Sequence, residues 1–528
     1  MSPPPTLVTA LLNPAPYDHE VVQPPQLLET HISWVILTGP YAYKIKKPVN
    51  FGFLDFSTLA KRQENCLAEL RLNRRLAPQL YLEVVSWHGT PDNPTLRGTG
   101  PVIEYAVKMR QFDPQQQLDR LLVHHQLSTS HIDALASEIA HFHAACAVAP
   151  LASPYGDLHS TTLPVADNFA QIRHYLSAAA DLATLTALEQ WSDHFIATHA
   201  PLFEQRKQGG FIRECHGDLH LRNITLIEER PVIFDCIEFS DALRWIDTIN
   251  DMAFLIMDLR VHQRGDLAQR FLNGYLEQTG DYAGIRLLPF YLVYRALVRC
   301  KIALIEREQQ GNPAEAHTHH YRQYLRLAQQ FITPVAPVLM VMHGLSGSGK
   351  SVVSQLIAQH SKTIRVRSDV ERKRLYGAAP YERPTALQQK SLYASSASQR
   401  TYARLVELAE IVLTHGYHAI VDATFLKLEQ RILFQQLAKR LGCEFIILHL
   451  DTPIPLLKQR LVARQQQNSD PSDATLAVLE QQLQQGEALT SSEKEHTITL
   501  NTAHASGLAL LPESLHKTLC IALYIPDK

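Results

Sequence analysis

Apolar and polar residues alternate through the first part of the chain. "HISWVIL" and "YAYKIKK", within residues 31–47, flank "TGP" and predict two strands joined by a tight turn. From Leu59 to Leu76 the period lengthens, with Leu59, Cys66, Leu67, Leu70 and Leu72 recurring among Arg, Lys and Glu as one face of a helix does. "LYLEVVSW" and "PVIEYAVKMRQF" return to strand patterning, so a small α+β lobe is expected over 1–112. Residues 113–332 are helical in pattern with one interruption, where "NITLI" and "PVIFD" flank "EER" and predict a second hairpin. The prolines of "FITPVAPVL" mark the expected junction with a third region, 333–528. There "VLMVMHG", "TIRVRSD", "HAIVDAT", "CEFIILHLD" and "HTITLNT" are strand candidates separated by helix-length segments, the order of a parallel sheet with helices on both faces.

Composition changes this picture little. A chain of 528 residues favours several domains, and 45% hydrophobic residues supply the cores they need. Fifty Lys and Arg against 52 Asp and Glu argue against bulk nucleic-acid binding, leaving only a local basic groove open. Seven scattered cysteines without a C-x-x-C pair read as reduced thiols. "MSPPPTLVTALLNPAP" lacks the form of a signal peptide and no apolar run reaches ~20 residues, so a cytoplasmic protein without membrane contact is expected.

The chemistry begins with "GLSGSGKS", Gly344 to Ser351, which fits G-x-x-x-x-G-K-[ST] between a strand and a helix. Gly344, Gly347 and Gly349 allow the backbone to turn N–H groups, that of Ser348 among them, toward phosphate oxygens. Lys350 is expected on the terminal phosphates and the Ser351 hydroxyl on Mg²⁺. Asp369 and Arg372 in "RSDVERKR" are placed to accept a hydroxyl proton and to hold an anionic group, with a plain helix cap as the bland reading of Asp369. Asp422 in "IVDATF" takes a Walker-B-like position near the metal. Arg460 and Arg464 stand one helical turn apart before a polar loop, as in a lid; Arg464 is the expected catalytic arginine and Arg460 reads as a solvated charge. With these motifs, residues 338–500 resemble the P-loop kinases grouped with polynucleotide 5′-hydroxyl kinases and zeta-toxin-like kinases. The resemblance implies Asp369 as general base and Arg372 as the contact to an acceptor's phosphate.

A second constellation lies upstream in "CHGDLHLRNITLIEERPVIFD". Asp218 and Asn223 are five apart, the spacing of a kinase catalytic loop, where the Asp faces the acceptor hydroxyl and the Asn turns to Mg²⁺. Asp235, ending the next strand, is expected to ligate the same metal; Glu238 is left between a neighbouring metal and a turn cap. His216 reads as a brace for the loop, and Asp251 as either a second brace or an N-cap. Lys44 is expected on the nucleotide phosphates, with Lys46 on the same face as its competitor. Glu69 is the expected partner of that lysine, with Glu64 next in order, and "EYAVKMRQF" is the expected adenine hinge. "HTHH" (His317 to His320) and "HFH" (His141 and His143) read as surface and structural histidines.

H-G-D-x-H-x-x-N, the I-F-D strand and "NDMAFL" make residues 30–300 resemble the aminoglycoside phosphotransferase/choline kinase-like family, with "ETHIS" in place of a Gly-rich loop. The resemblance implies a bilobal protein-kinase-like fold and ATP-dependent phosphotransfer, but not an aminoglycoside substrate. The leading expectation is a fusion of two Mg-ATP kinases, each passing the γ-phosphoryl group to a hydroxyl acceptor. That acceptor is a small molecule for the first, and a small molecule or a polynucleotide 5′-end for the second. The competing reading keeps one active P-loop kinase and gives the first region a regulatory or recruiting role.

Overall fold

In the computed structural model, "SWVIL" and "YAYKIK" form antiparallel strands about Gly39, whose φ of +95° is one that glycine adopts without strain. The structure describes residues 5–52, 54–309, 315–380, 382, 395–467, 475–503 and 507–520. The chain divides into two compact units: Met1–Leu176 with Ser192–Asp258, and Ser177–Trp191 with Leu259–Lys528.

The first unit opens with a six-stranded antiparallel sheet built from β1 (Gln26–Glu29), β2 (Ser33–Leu37), β3 (Tyr41–Lys46), β4 (Tyr81–Thr90), β5 (Asn93–Leu96) and β6 (Val102–Arg110), in the order β1-β2-β3-β6-β4-β5. Period-two burial follows from one face taking Trp34, Ile36, Tyr43, Ile45, Val85 and Trp87 into a core. Helix α1 (Leu59–Asn73) is capped by the Thr58 hydroxyl and places Cys66 in a second core with Tyr81 and Val107. Both the strand pair and α1 agree with the sequence pattern. The stretch expected as the hinge, Glu104 to Phe112, runs along β6 as far as Arg110: 106–110 pair with β3, 104–109 pair with β4, and the Gln111 N–H donates to the Pro40 carbonyl at 3.1 Å.

Among the helices that follow is α2 (Thr129–Ala145). The expected second hairpin is β8 (Ile224–Ile227) with β9 (Arg230–Ile233), and a short ribbon pairs β7 (Ile212–Glu214) with β10 (Trp245–Asp247). The β8–β9 turn puts Glu228 and Glu229 at φ +50° and +60°, a geometry for which glycine or asparagine is the usual choice. Helix α3 (Thr248–Val261) follows β10.

In the second unit, helices α4 (Gly265–Thr279), Leu288–Gln309 and Glu315–Ile332 fold together with a five-stranded parallel sheet. Its strands are β11 (Val338–His343), β12 (Thr363–Arg367), β13 (His418–Asp422), β14 (Glu444–Asp451) and β15 (Thr497–Asn501), ordered β12-β13-β11-β14-β15. All six residues of β11 are buried, which explains its unbroken apolar run at the sheet centre. Met340, Met342, Val353, Ile357, Ile420 and Leu448 share one core. Helices α5 (Lys350–His360), α6 (Ser368–Leu375), α7 (Ile454–Gln467) and α8 (Leu476–Gln485) carry the residues considered below. Among the described residues no helix is long and apolar enough to cross a membrane.

Candidate active sites

Strand β3 presents Lys44 and Lys46 on one face, and both reach Glu69 of α1. Lys44 Nζ lies 2.8 Å from Oε1 and Lys46 Nζ 2.8 Å from Oε2. Beyond that shared carboxylate they part: Lys44 pairs with Asp235, just past β9, and Lys46 with Glu238. The two lysines therefore differ in setting. Lys44 keeps 12% of its side chain exposed and bridges the helix glutamate to the hairpin aspartate, whereas Lys46 is sealed behind it. Burial alone would raise the Glu69 carboxyl, but the two ammonium groups override it and hold it at about 2. At Glu238 burial prevails over Lys46 and the carboxyl is raised. Glu238 is thus the counter-charge of a buried lysine; Glu64 is exposed on α1.

Asp235 adopts φ +64°, a left-handed conformation of the kind that costs non-glycine residues ~1–3 kcal/mol and concentrates at functional sites. The Asp235 N–H donates to the Tyr81 hydroxyl at 3.1 Å, so β4 holds the strained residue in place. Asn223 Nδ2 donates to Asp218 Oδ2 at 2.9 Å and to the Asp218 carbonyl at 3.0 Å, which leaves Asn223 Oδ1 as its remaining ligand atom. His220 Nε2 lies 3.2 Å from Asp218 Oδ2, and the Asp218 side chain is 36% exposed, open to an incoming hydroxyl.

The loop is braced from below. His216 Nδ1 accepts from the Asp218 N–H at 3.2 Å while Nε2 meets the Phe234 carbonyl at 2.9 Å, and burial lowers the pKa of the ring. Asp251, on the opening turn of α3, accepts from the N–H groups of His216 (3.0 Å) and Gly217 (2.8 Å) and meets His143 Nε2 at 3.0 Å. Of its two readings, brace rather than cap, the contacts support the brace. Burial works against this carboxylate, yet His143 and the loop amides hold its pKa at about 2.

In the second unit β11 delivers the chain into "GLSGSGKS" and α5 leaves from it. Gly347 has φ +86°, and a Cβ there would lie 3.0 Å from the Leu457 carbonyl, so only glycine fits between the loop and α7. Lys350 Nζ donates to the carbonyls of Gly344 (2.9 Å) and Leu345 (2.8 Å), folding back over its own loop. Ser348 Oγ is buried without a hydrogen-bond partner among the described residues, and Ser354 Oγ donates to Asp422 Oδ2 at 3.2 Å beneath the loop that leads to Ser351. Asp369 and Arg372 face each other at 4.0 Å on α6. The cap position of that helix falls on Arg367, and Asp369 stands in its first turn.

Residues 52–288 match the phosphotransferase enzyme family, and residues 339–489 match an AAA domain. Over 463 residues the chain is 30% identical to uncharacterized protein Rv2004c of Mycobacterium tuberculosis (strain ATCC 25618 / H37Rv), covering 87% of this chain and 91% of the relative. Uncharacterized protein Mb2027c of Mycobacterium bovis matches with the same identity and coverage. The chain belongs to the family of these mycobacterial proteins. Among solved structures it is similar to a choline/ethanolamine kinase family protein from Mesorhizobium loti, at 15% identity and TM-score 0.39 over 62% of this chain and 96% of that one. It is also similar to a gluconokinase from Sinorhizobium meliloti 1021, at 20% identity and TM-score 0.24 over 35% and 91%. An aminoglycoside phosphotransferase-like region and a P-loop kinase region share the polypeptide, and the member is an enzyme of phosphoryl transfer.

Sequence patterning missed several residues of this family member. Arg460, read as a solvated charge, donates from Nη2 to the Thr502 carbonyl at 2.7 Å and from Nη1 to Thr502 Oγ1 at 3.2 Å. Its Nη1 also reaches the Gly347 carbonyl at 3.5 Å, which sets the guanidinium beside the phosphate loop. The only signal for it was its four-residue spacing from Arg464, which lies on α7 with its side chain outside the described residues. Gln482 of α8 accepts the Ser346 N–H at 2.8 Å, and nothing in the Gln-rich helix announced it. His317 of the "HTHH" stretch likewise has its side chain outside the described residues.

Proposed function

We propose that the chain is a bifunctional ATP-dependent phosphotransferase with one site in each unit, each passing the γ-phosphoryl group to a hydroxyl acceptor. The observation that carries the reading is the bridge made by Lys44 between Glu69 and Asp235, with Asp218 and Asn223 joined on the adjacent loop. A lysine tied to a helix carboxylate and to a metal-binding aspartate is the arrangement a kinase needs for its phosphates. A nucleotide-binding module with no catalysis has no use for the Asp218–Asn223 pair as well.

In the first site Asp218 accepts the acceptor's hydroxyl proton as the acceptor oxygen bonds to the γ-phosphorus and the β,γ-bridging P–O bond breaks, releasing ADP. Asn223 Oδ1 and Asp235 would hold Mg²⁺, and their donor chemistry fits a hard cation. In the second, Gly344, Gly347, Ser348, Gly349 and Lys350 would hold the phosphates, and the buried Ser348 Oγ, with no hydrogen-bond partner among the described residues, and the glycine cradle fit that ligand. Ser351 and Asp422 would hold its Mg²⁺. At both sites the cation supplies neutralisation of phosphate charge. Asp369 serves as the second base, Arg372 orients the acceptor, and Arg464 with Arg460 closes over the transferring group. A small hydroxylated metabolite is the acceptor class for the first site, and a small molecule or a polynucleotide 5′-hydroxyl for the second.

The test is transfer of label from γ-labelled ATP by the full chain across sugars, amino-alcohols and polynucleotide ends. Asp218→Ala should abolish one set of labelled products and Lys350→Ala another. If Asp218→Ala leaves every product in place, the first site is not catalytic and the reading reduces to one P-loop kinase with a recruiting module.

A further inference from the structure

Among the described residues strand β12 stands at one edge of the parallel sheet, and a side chain closes it. The Asn273 carboxamide of α4 donates from Nδ2 to the Thr363 carbonyl at 3.0 Å and accepts the Arg365 N–H at Oδ1 at 2.7 Å, pairing with the strand as another strand would. One helical turn on, Glu277 places each carboxylate oxygen on a different arginine of β12. Its Oε2 accepts from Arg365 Nη2 and its Oε1 from Arg367 Nη1, both at 2.8 Å. From there both arginines reach the phosphate site. Arg365 Nη1 donates to the Ser351 carbonyl at 3.2 Å, and Arg367 Nε lies 3.7 Å from Asp422 Oδ2. Glu277, Arg365, Arg367 and Asp422 are 3%, 8%, 7% and 6% exposed, so the four charges meet with little water to screen them.

Arg367 is shared between the two acids, Glu277 and Asp422. Glu277 holds the Nη1 edge of the guanidinium at 2.8 Å, while the Nε edge stands 3.7 Å from Asp422. We propose that Glu277, within the stretch that matches the phosphotransferase family, is a positioning residue of the P-loop site that keeps Asp422 available to a divalent cation. Without Glu277 the buried group carries an extra positive charge and Arg367 collapses onto Asp422, so a cation is repelled from and displaced at the carboxylate meant to receive it. This rests on the phosphate-loop reading above, and it makes the second site depend on a helix that precedes the P-loop region in sequence.

The experiment measures Mn²⁺ binding to the full chain with AMP-PNP, by loss of the free-ion paramagnetic resonance signal. The sites lost in Lys350→Ala are those of the phosphate loop. If Lys350→Ala loses none, the phosphate-loop reading itself fails and the proposal falls with it. If it does lose them, Glu277→Gln should raise the half-saturating Mn²⁺ of those sites ~10-fold, and Glu277→Asp should recover part of that rise. Removing both charges in Glu277→Gln/Arg367→Gln should return half-saturation to within ~2-fold of the parent. Asn273→Ala, which removes edge pairing and no charge, should leave it unchanged. A merely structural role predicts the opposite ranking, with Asn273→Ala as damaging as Glu277→Gln and the double variant worse than either. That ranking, or a Glu277→Gln value within ~2-fold of the parent, overturns the proposal. Should Glu277→Gln not fold, the double variant decides, since a ~10-fold rise there equally overturns it.

Discussion

Replacing Asp251 by Asn tests whether the loop that carries Asp218 is held by charge. The Asp251 carboxylate accepts from two loop amides and meets His143, and it is fully buried. Hydrogen bonds to a charged partner contribute ~1.5–3 kcal/mol each, and an amide left unsatisfied costs ~1–3 kcal/mol. Asparagine keeps one acceptor oxygen and turns an NH₂ group toward either the His216 or the Gly217 N–H, so at least one donor loses its partner. A carboxyl held at about 2, against an ordinary 3.8, gives an independent figure of about 2 kcal/mol for the ionised form at neutral pH. The two routes converge on a loss of ~2–4 kcal/mol, a large share of the ~5–15 kcal/mol that holds a domain folded. Because the folded-state value is lowered, this stability is present above pH 3.8 and is lost as the pH falls toward about 2. Hydrogen exchange of a peptide spanning Cys215 to Leu221 should be ~30- to 900-fold faster in Asp251→Asn at neutral pH. Thermal unfolding of the same unit should come ~5–15 °C earlier, and the gap between variant and parent should narrow toward pH 2. Unchanged exchange at neutral pH, or a gap that persists undiminished in acid, would refute the charge-held loop.

Two further outcomes follow from buried charge. Lys46→Met leaves the Glu69 and Glu238 side chains, 0% and 4% exposed, without a shared cation, and should cost ~3–5 kcal/mol in urea denaturation. Adding Glu238→Gln should restore part of it; a single variant within ~1 kcal/mol of the parent contradicts the network. In the second unit His343 and His418 are held down at about 4, chiefly by burial and then by His449 and Lys362 respectively. A lowered histidine lends stability that is full above the unfolded value of 6.5 and is lost as the pH falls toward 4. Exchange protection of β11 and β13 should therefore drop by the equivalent of ~2–3 kcal/mol per histidine between pH 7 and 4.5, and flat protection would count against it.

What could be read from the sequence was what lies close together in it. The phosphate loop, the Asp218–Asn223 spacing and the β8–β9 hairpin each fit within a few residues, where backbone geometry alone dictates the residue types. The Lys44–Glu69 pairing was legible because a strand and the next helix meet early in a kinase-like lobe. Lys46 and Glu238 are 192 positions apart, and no periodicity reports a partner at that distance. Arg460 was misread for a related reason: a charged residue on a polar helix looks solvated until the fold sets Thr502 against it. Arg365 and Arg367, charges inside an otherwise apolar strand, broke the pattern openly, but the residue that answers them lies 88 and 90 positions upstream.

The Asn273 clasp on β12 bears on how this polypeptide came to be one chain and whether it can be two again. A fragment begun at the prolines 334 and 337 would keep every residue of the phosphate loop. It would also bare the outer N–H and C=O groups of β12 and strand Arg365 and Arg367 without their main counter-ion. Such an edge recruits a neighbouring strand, so the excised piece is destined for self-association rather than for life as a small free kinase. The phosphate loop of this chain thus leans on a helix that lies upstream of the prolines, within the stretch that matches the phosphotransferase family.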